Sequence, residues 1–285
     1  MVKIEIDQSS CILCEKCTRI CSPALFRKDN ETKQIQVHDS EYCIQCGHCA
    51  AVCPTDSVIH SVFPYSTVHS FDPHELPTAD SLELLIKARR SNRAFSSMAI
   101  PKEYLERILG AAHRAPTASN EQELSYTIVT DPEALHQISA FTLDVFSGIL
   151  KLIKPLKSIL KLFIPDVTAL IPEFEGMVTD FSKGKDWVLR DAKAVIFIHA
   201  PQSARFGRQD ANLAYQNASL LAEALGVAHF YTGFVCIAND YDSRKKRLNK
   251  LLQIEGNIHA GMALGMPSFR FDKYIDRKPV KVNWI

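Results

Sequence analysis

Eight of the nine cysteines fall in two copies of one pattern, Cys11-x2-Cys14-x2-Cys17-x3-Cys21 and Cys43-x2-Cys46-x2-Cys49-x3-Cys53. Thiolates at such spacings are metal ligands. Zinc sites gather cysteines as separated Cys-x2-Cys pairs around one tetrahedral ion. Three cysteines at successive two-residue gaps, with a fourth after three, suit an iron–sulfur cubane, in which the fourth thiolate reaches across to a neighbouring cluster. That assigns Cys11, Cys14, Cys17 and Cys53 to one [4Fe-4S] cluster and Cys43, Cys46, Cys49 and Cys21 to a second. Zinc is the competing ligand. Disulfides fit poorly, because a cysteine-poor stretch of over two hundred residues follows the motifs and disulfide scaffolds are short throughout. The first residues, Met1 to Asp7, lack an apolar core of signal-peptide length, so a cytoplasmic location is expected.

The two motifs repeat at an offset of 32 residues, which also brings Asp7 onto Asp39 and Ile12 onto Ile44. This segment resembles the bacterial two-cluster ferredoxins. Cys53-Pro54 matches their closing Cys-Pro, and Cys21-Ser22-Pro23 displaces that proline by one. Residues 27–37 read as a hairpin turning at Lys28-Asp29-Asn30-Glu31. Residues 1–60 are therefore expected to form a ferredoxin-like domain held together by its clusters. Residues 61–80 carry Pro64, Pro73 and Pro77 with no periodicity and read as a linker.

A second group of chemically able residues is the cation cluster Arg89, Arg90 and Arg93. Guanidinium forks match phosphate oxygens, although basic residues also favour a helix end for its dipole. The elements around the cluster can be read in outline. Asp80 or Ser81 can cap a helix whose apolar positions Leu82, Leu85 and Ile86 follow helical spacing, and Pro101 opens another burying Leu105, Ile108, Leu109 and Ala112. Strands are predicted over residues 126–129, 194–199, 234–237 and 259–264, and a long helix over 210–225 stopped by Gly226. Helices interleaved with a few strands indicate an α+β sandwich over residues 81–285.

Six stretches in this order resemble the flavin-dependent nitroreductase family. Arg89-Arg90-Ser91-Asn92-Arg93 is similar to its opening Arg-x-Ser-x-Arg/Lys segment, and Ala115-Pro116-Thr117-Ala118-Ser119-Asn120-Glu121-Gln122 to its Ala-Pro-Ser-x-x-Asn-x-Gln turn. Residues 210–226 resemble the central helix, Phe230-Tyr231-Thr232-Gly233 the segment along the flavin ring, and residues 263–267 and 277–279 the closing strand and last basic residue. The resemblance implies FMN held by Arg89, Arg90, Ser91, Arg93 and Arg277, with Tyr231, Thr232 and Gly233 along the ring. It implies that Pro116, Thr117, Ser119, Asn120 and Gln122 reach the flavin of a partner subunit, hence a homodimer with FMN at the interface. By contrast, Gly265-Met266-Pro267 reads as strand end and core packing, Cys236 as a buried small hydrophobe, and His199 as a strand-end histidine close to the flavin pocket.

Residues 141–181 stand out. Apolar positions from Phe141 to Phe163 alternate with Lys151, Lys154, Lys157 and Lys161, and Pro155, Pro165 and Pro172 interrupt them. A helical lid with lysine stems on its surface is expected, a membrane-surface helix being the alternative. No apolar run approaches membrane-spanning length, and a net charge of +1 gives no electrostatic case for nucleic acid.

Clusters pass single electrons and a flavin delivers pairs. The expected function is an oxidoreductase carrying electrons from a low-potential donor (a ferredoxin, a flavodoxin or NAD(P)H) through two [4Fe-4S] clusters to FMN. The organic acceptor is a nitroaromatic, quinone or activated alkene. The other readings are a non-catalytic redox relay or sensor, and a reaction that consumes the flavin. No dedicated Gly-x-Gly-x-x-Gly nicotinamide motif is present, and no general acid can be named from the sequence.

Overall fold

The computed structural model describes residues 2–156 and 171–285. The chain divides into two compact units, one comprising Met1–Pro77 with Thr117–Gln122, the other Thr78–Pro116 with Glu123–Ile285. The first unit thus takes in most of the stretch read as a linker. The transfer of a six-residue loop to the first unit was not foreseen.

In the first unit β1 (Ile4–Ile6) pairs antiparallel with β4 (Val58–His60), and β2 (Phe26–Lys28) with β3 (Ile35–Val37). The β2–β3 pair is the expected hairpin, with Asp29 Oδ1 accepting from the amides of Glu31 and Thr32 in its turn. Two short helices, α1 (Lys16–Ile20) and α2 (His48–Val52), each contain the third cysteine of a motif and end at the fourth. The 32-residue repeat extends to the backbone. Leu13, Glu15 and Ala24 have φ of 57°, 57° and 55°, and their counterparts Gln45, Gly47 and Asp56 have 51°, 71° and 53°. Left-handed residues at such positions can turn neighbouring backbone amides toward one centre, as in anion-binding nests. The core is small: Ile4, Leu25, Phe26, Ile35, Cys49 and Val58 are buried, and five more cysteines pack against them. A core of that size leaves stability to whatever the cysteines bind.

The second unit is built on an antiparallel sheet ordered β5-β6-β8-β7, with β5 at Ser125–Val129, β6 at Ala194–Ala200, β7 at Ala228–Tyr231 and β8 at Asn257–Gly265. The central strand β6 is buried along its whole length, and its side chains alternate between faces. Val195 and Phe197 enter one core, while Ala194, Ile196 and Ile198 enter the other. The second of these cores is closed by α4 (Lys102–His113) and α7 (Gly207–Ala224). The first is closed by α5 (Pro132–Ile153), α6 (Ile171–Ser182), α8 (Gly233–Tyr241) and α9 (Arg247–Leu252). Helices on both faces of one sheet realise the expected α+β sandwich.

Two expectations need correction. Residues 234–237 form part of α8, not a strand: Val235 and Ala238 are buried while Phe234 and Ile237 are exposed, which is helical spacing. The strand next to them is β7, which starts two residues after Gly226 and ends two residues before α8 begins. The helix α3 (Ala79–Ala88) is capped by Thr78, whose hydroxyl accepts from Ser81 N at 3.2 Å, and it leaves Leu82, Leu84 and Ile86 exposed. In the region expected to be a lid, Phe141, Leu143, Val145, Phe146 and Leu150 lie on α5 and are buried. Lys157 and Lys161, with Ile159, Leu160, Leu162, Phe163 and Pro165, lie outside the described residues.

Candidate functional site

The first unit sorts its eight motif cysteines into two rings. Cys11, Cys14, Cys17 and Cys53 line one cavity with Ile6, Ile35 and Val58. Cys21, Cys43, Cys46 and Cys49 line another with Ile4, Leu25 and Phe26. The electrostatics divide in the same way. Burial raises the Cys17 thiol, and Cys11 and Cys53 add to the rise. Burial pushes Cys49 up to about 11, with Cys43, Cys46 and Cys21 contributing. Among the described residues, no three His, Cys, Asp or Glu side chains converge on a single-ion position. Each set of four thiols lines one cavity, a donor set able to hold a polynuclear cluster. Backbone amides face the sulfurs: Leu25 N donates to Cys21 Sγ at 3.5 Å, Ser57 N to Cys53 Sγ at 3.3 Å and Gln45 N to Cys43 Sγ at 3.4 Å.

In the second unit, Arg89, Arg90, Ser91 and Arg277 line one cavity together with Phe271, Lys273 and Ile275. Four cationic side chains from two distant stretches of chain thus meet, with no acid in the lining. Local packing explains why. Ser96 N donates to Met266 O at 2.8 Å and Ser268 N to Ala94 O at 2.9 Å, so the chain after the arginines lies beside the chain leaving β8. Asn92 Nδ2 donates to Phe269 O at 3.0 Å, and Asn92 Oδ1 accepts from Ala94 N at 3.0 Å. Gly265 is required at this crossing, since a Cβ there would strike the Phe95 ring. The Glu223 carboxylate accepts from Arg90 N at 3.4 Å; burial raises its pKa against the lowering effect of that bond and of Arg89 and Arg270. Lys273 and Asn92 had not been singled out in the sequence. Lys273 sits in an exposed tail without periodicity, and only its basic charge near Arg277 could have signalled it.

Arg93 points elsewhere. It lines a second cavity with Trp187, Val188, Arg190, Phe230, Tyr231, Thr232, Gly233 and Phe234. Its guanidinium lies 5.3 Å from the Phe230 ring centre, and the Arg190 guanidinium lies 4.3 Å from that of Trp187. Burial lowers the Arg190 pKa, and the Arg93 charge lowers it further. Two like charges bordering one cavity favour an anionic or electron-rich occupant. Thr232, Gly233 and Phe234 bring the start of α8 to the same cavity, and the first amides of a helix have no partner within it. The loop bearing Trp187 and Arg190 is pinned by Asp186, whose Oδ1 accepts from Val188 N at 2.7 Å and Leu189 N at 3.1 Å, and whose Oδ2 accepts from Ser139 Oγ at 2.7 Å. Trp187 and Arg190 were missed in the sequence, where they follow the apolar insert without a motif. The insert reaches the cavity indirectly, through Phe174 of α6 and Phe146 of α5, which pack on Phe234 with ring centres 5.6 and 5.9 Å away.

The turn residues divide between the units. Pro116 stays with the second, while Thr117, Ser119, Asn120 and Gln122 belong to the first. Thr117 Oγ1 accepts from Gln122 N at 3.1 Å, and Asn120 Nδ2 donates to the carbonyls of Ile44 and Gln45 at 3.2 and 2.8 Å. His199 and Cys236 line neither arginine cavity. His199 Nε2 is 3.1 Å from Thr127 Oγ1 on the neighbouring strand. Burial holds the Cys236 thiol up at about 11, moderated by the Thr232 and Tyr231 hydroxyls.

Family models match both ends of the chain. The model of the nitroreductase family matches residues 86–266, and that of the 4Fe-4S dicluster domain matches residues 10–57. An uncharacterized ferredoxin of Methanocaldococcus jannaschii is 36% identical over 63 residues, which are 80% of that protein and 21% of this chain. A protein of Archaeoglobus fulgidus named NADH dehydrogenase/NAD(P)H nitroreductase is 28% identical over 198 residues, covering 67% of this chain and 87% of the relative. Among solved structures, a nitroreductase with bound FMN from Desulfitobacterium hafniense DCB-2 superposes with a TM-score of 0.54 at 19% identity, covering 71% of this chain and 98% of that one. No helix among the described residues is long and apolar enough to cross a membrane. The chain is an oxidoreductase that belongs to the nitroreductase family and carries a 4Fe-4S dicluster domain ahead of its nitroreductase domain.

Proposed function

We propose that this protein carries two [4Fe-4S] clusters in its first unit and FMN in its second, and passes electrons from a low-potential donor to an organic acceptor. The observation that carries the reading is the meeting of Arg89, Arg90, Ser91 and Arg277 at one cavity. Lys273 joins them, and the donor set suits a phosphate, whose oxygens accept guanidinium forks and hydroxyls. Phosphate would lie there and the ring at the neighbouring cavity, because the segment from Arg89 to Arg93 borders both.

The bound groups supply complementary chemistry, the clusters moving electrons singly and the flavin delivering them in pairs. The chain's own residues do the rest. Arg93, Arg190 and the first amides of α8 would supply positive potential favouring the negative charge that a flavin held there would take up on reduction. Trp187, Phe230 and Phe234 wall the cavity with aromatic surface that keeps water out. The cysteines of the two rings hold the clusters, Cys11, Cys14, Cys17 and Cys53 the first, Cys21, Cys43, Cys46 and Cys49 the second.

Leu82 and Ile86, one turn apart on α3 and both exposed, favour a homodimer, since apolar pairs of this kind are often covered by a partner. The donor is a ferredoxin, a flavodoxin or NAD(P)H, and the acceptor a nitroaromatic, quinone or activated alkene. Stopped-flow reoxidation of the reduced holoprotein tests this. One class of small acceptor should reoxidise the flavin well above the buffer control. Reoxidation by a protein partner alone would instead identify a relay.

A further inference from the structure

Asn120 has a second address besides the one its motif suggests. Its amide nitrogen donates to Ile44 O at 3.2 Å and Gln45 O at 2.8 Å, both carbonyls lying between the ligands Cys43 and Cys46. The carbonyl of Ile44 and the amide of Gln45 belong to one planar peptide and point in opposite directions. On the far side of that peptide, Gln45 N donates to Cys43 Sγ at 3.4 Å. Asn120 therefore holds, from behind, the peptide that presents its N–H to a ligand sulfur. Gln45 is a non-glycine residue at φ 51°, a conformation that relaxes unless its surroundings fix it. The loop that supplies the amide is itself set in a costly shape, with Ser119, Asn120 and Gln122 at φ of 49°, 56° and 50° and Gln122 N tied to Thr117 Oγ1. A loop built at that expense to reach two carbonyls points to a purpose beyond closing a turn.

We propose that Asn120 is a positioning residue for the cluster held by Cys21, Cys43, Cys46 and Cys49, fixing the Ile44–Gln45 peptide so that its N–H···S bond raises that cluster's reduction potential. Hydrogen bonds to ligand sulfur stabilise the more negative reduced cluster. The inference rests on the two-cluster reading, and the experiment separates the two. Iron analysis of the wild-type holoprotein comes first: markedly fewer than roughly eight irons per chain would remove the reading itself. Asn120→Leu and Asn120→Asp, which both delete the donor while keeping the same branching and number of heavy atoms, are then titrated electrochemically with electron paramagnetic resonance detection. The signal of the second cluster is assigned from Cys46→Ser. In both variants that cluster's midpoint should move to more negative potential while the other cluster stays where it is. Selective loss of the second cluster from both variants would support the same role. Unchanged midpoints, an equal shift of both clusters, or equal loss of both would overturn it.

Discussion

Cys21 and Cys53 close their rings in the same backbone shape, with φ of −74° and −77° and ψ of 109° and 115°. Each accepts an amide from the residue four positions on. The surroundings then part company. Behind Cys53 runs a chain of hydroxyls, with Thr55 Oγ1 3.8 Å from its sulfur, Ser57 Oγ 2.7 Å from Thr55 and Ser10 donating to Ser57 at 2.9 Å. Burial pushes the Cys53 thiol up, but the amides of Thr55, Ser57 and Val58 and the Thr55 hydroxyl more than offset it, and the net shift is downward. The second ring has His60 Nε2 3.5 Å from Cys43 Sγ, and the Asn120 amide behind its ligand loop. Duplication has copied the ligand geometry and left the environment free to diverge. On the proposed two-cluster reading, unlike environments predict unlike potentials and so a preferred order of visits for an electron.

The strongest way to break this comparison is to remove a ligand. Cys14→Ala should cut iron from roughly eight per chain to roughly four or fewer, with bound flavin retained, as read by metal and flavin analysis. Full iron retention would show that Cys14 is no ligand. Next in size, Arg89→Ala deletes one charged phosphate contact, about 1.5–3 kcal/mol. FMN affinity measured by fluorescence titration should fall roughly ten- to hundredfold, with iron unchanged. Unaltered affinity would mean that the cavity of Arg89, Arg90, Ser91 and Arg277 is not the phosphate site.

Acid acts on the second unit by a different route. His229 is fully buried on β7, Nδ1 donating to Val227 O at 3.3 Å, and burial pushes its pKa down to about 4. The unfolded chain, with an ordinary pKa near 6.5, binds a proton that the folded chain refuses. Stability is therefore complete above pH 6.5 and drains as pH falls toward 4, by about 3 kcal/mol from this group. Urea unfolding followed by tryptophan fluorescence should show His229→Gln losing less stability over that window than the wild type. Parallel curves would assign the acid loss to other groups. The smallest expected effect sharpens the comparison of the rings. Thr55→Val removes the hydroxyl near Cys53, and should move the first cluster's midpoint slightly negative while leaving the second untouched. It is the mirror image of the Asn120 substitutions.

The rings were legible in the sequence because their cysteines are local: three of the four lining each cavity come from one short motif, and the fourth from its repeat. The arginine cavities were half legible. Arg89, Arg90 and Ser91 are adjacent in sequence, and Arg277 follows a recognisable strand end. Trp187, Arg190 and Lys273 reach their cavities only through tertiary packing, and no spacing announces them. The misread residues 234–237 show the limit of short apolar runs. Phe234-Val235-Cys236-Ile237 suits a buried strand as well as one helical turn, and the decision came from Val235 and Ala238 finding the core together. Asn120 is the subtler case, since its motif pointed to a flavin while its amide rests on the carbonyls of Ile44 and Gln45.

Anaerobic analysis of the purified holoprotein for iron, acid-labile sulfide, zinc and flavin tests the central claim most directly. Roughly eight irons and as many sulfides beside one FMN per chain is the predicted result. About two zinc ions in place of iron, or iron without flavin, would contradict it.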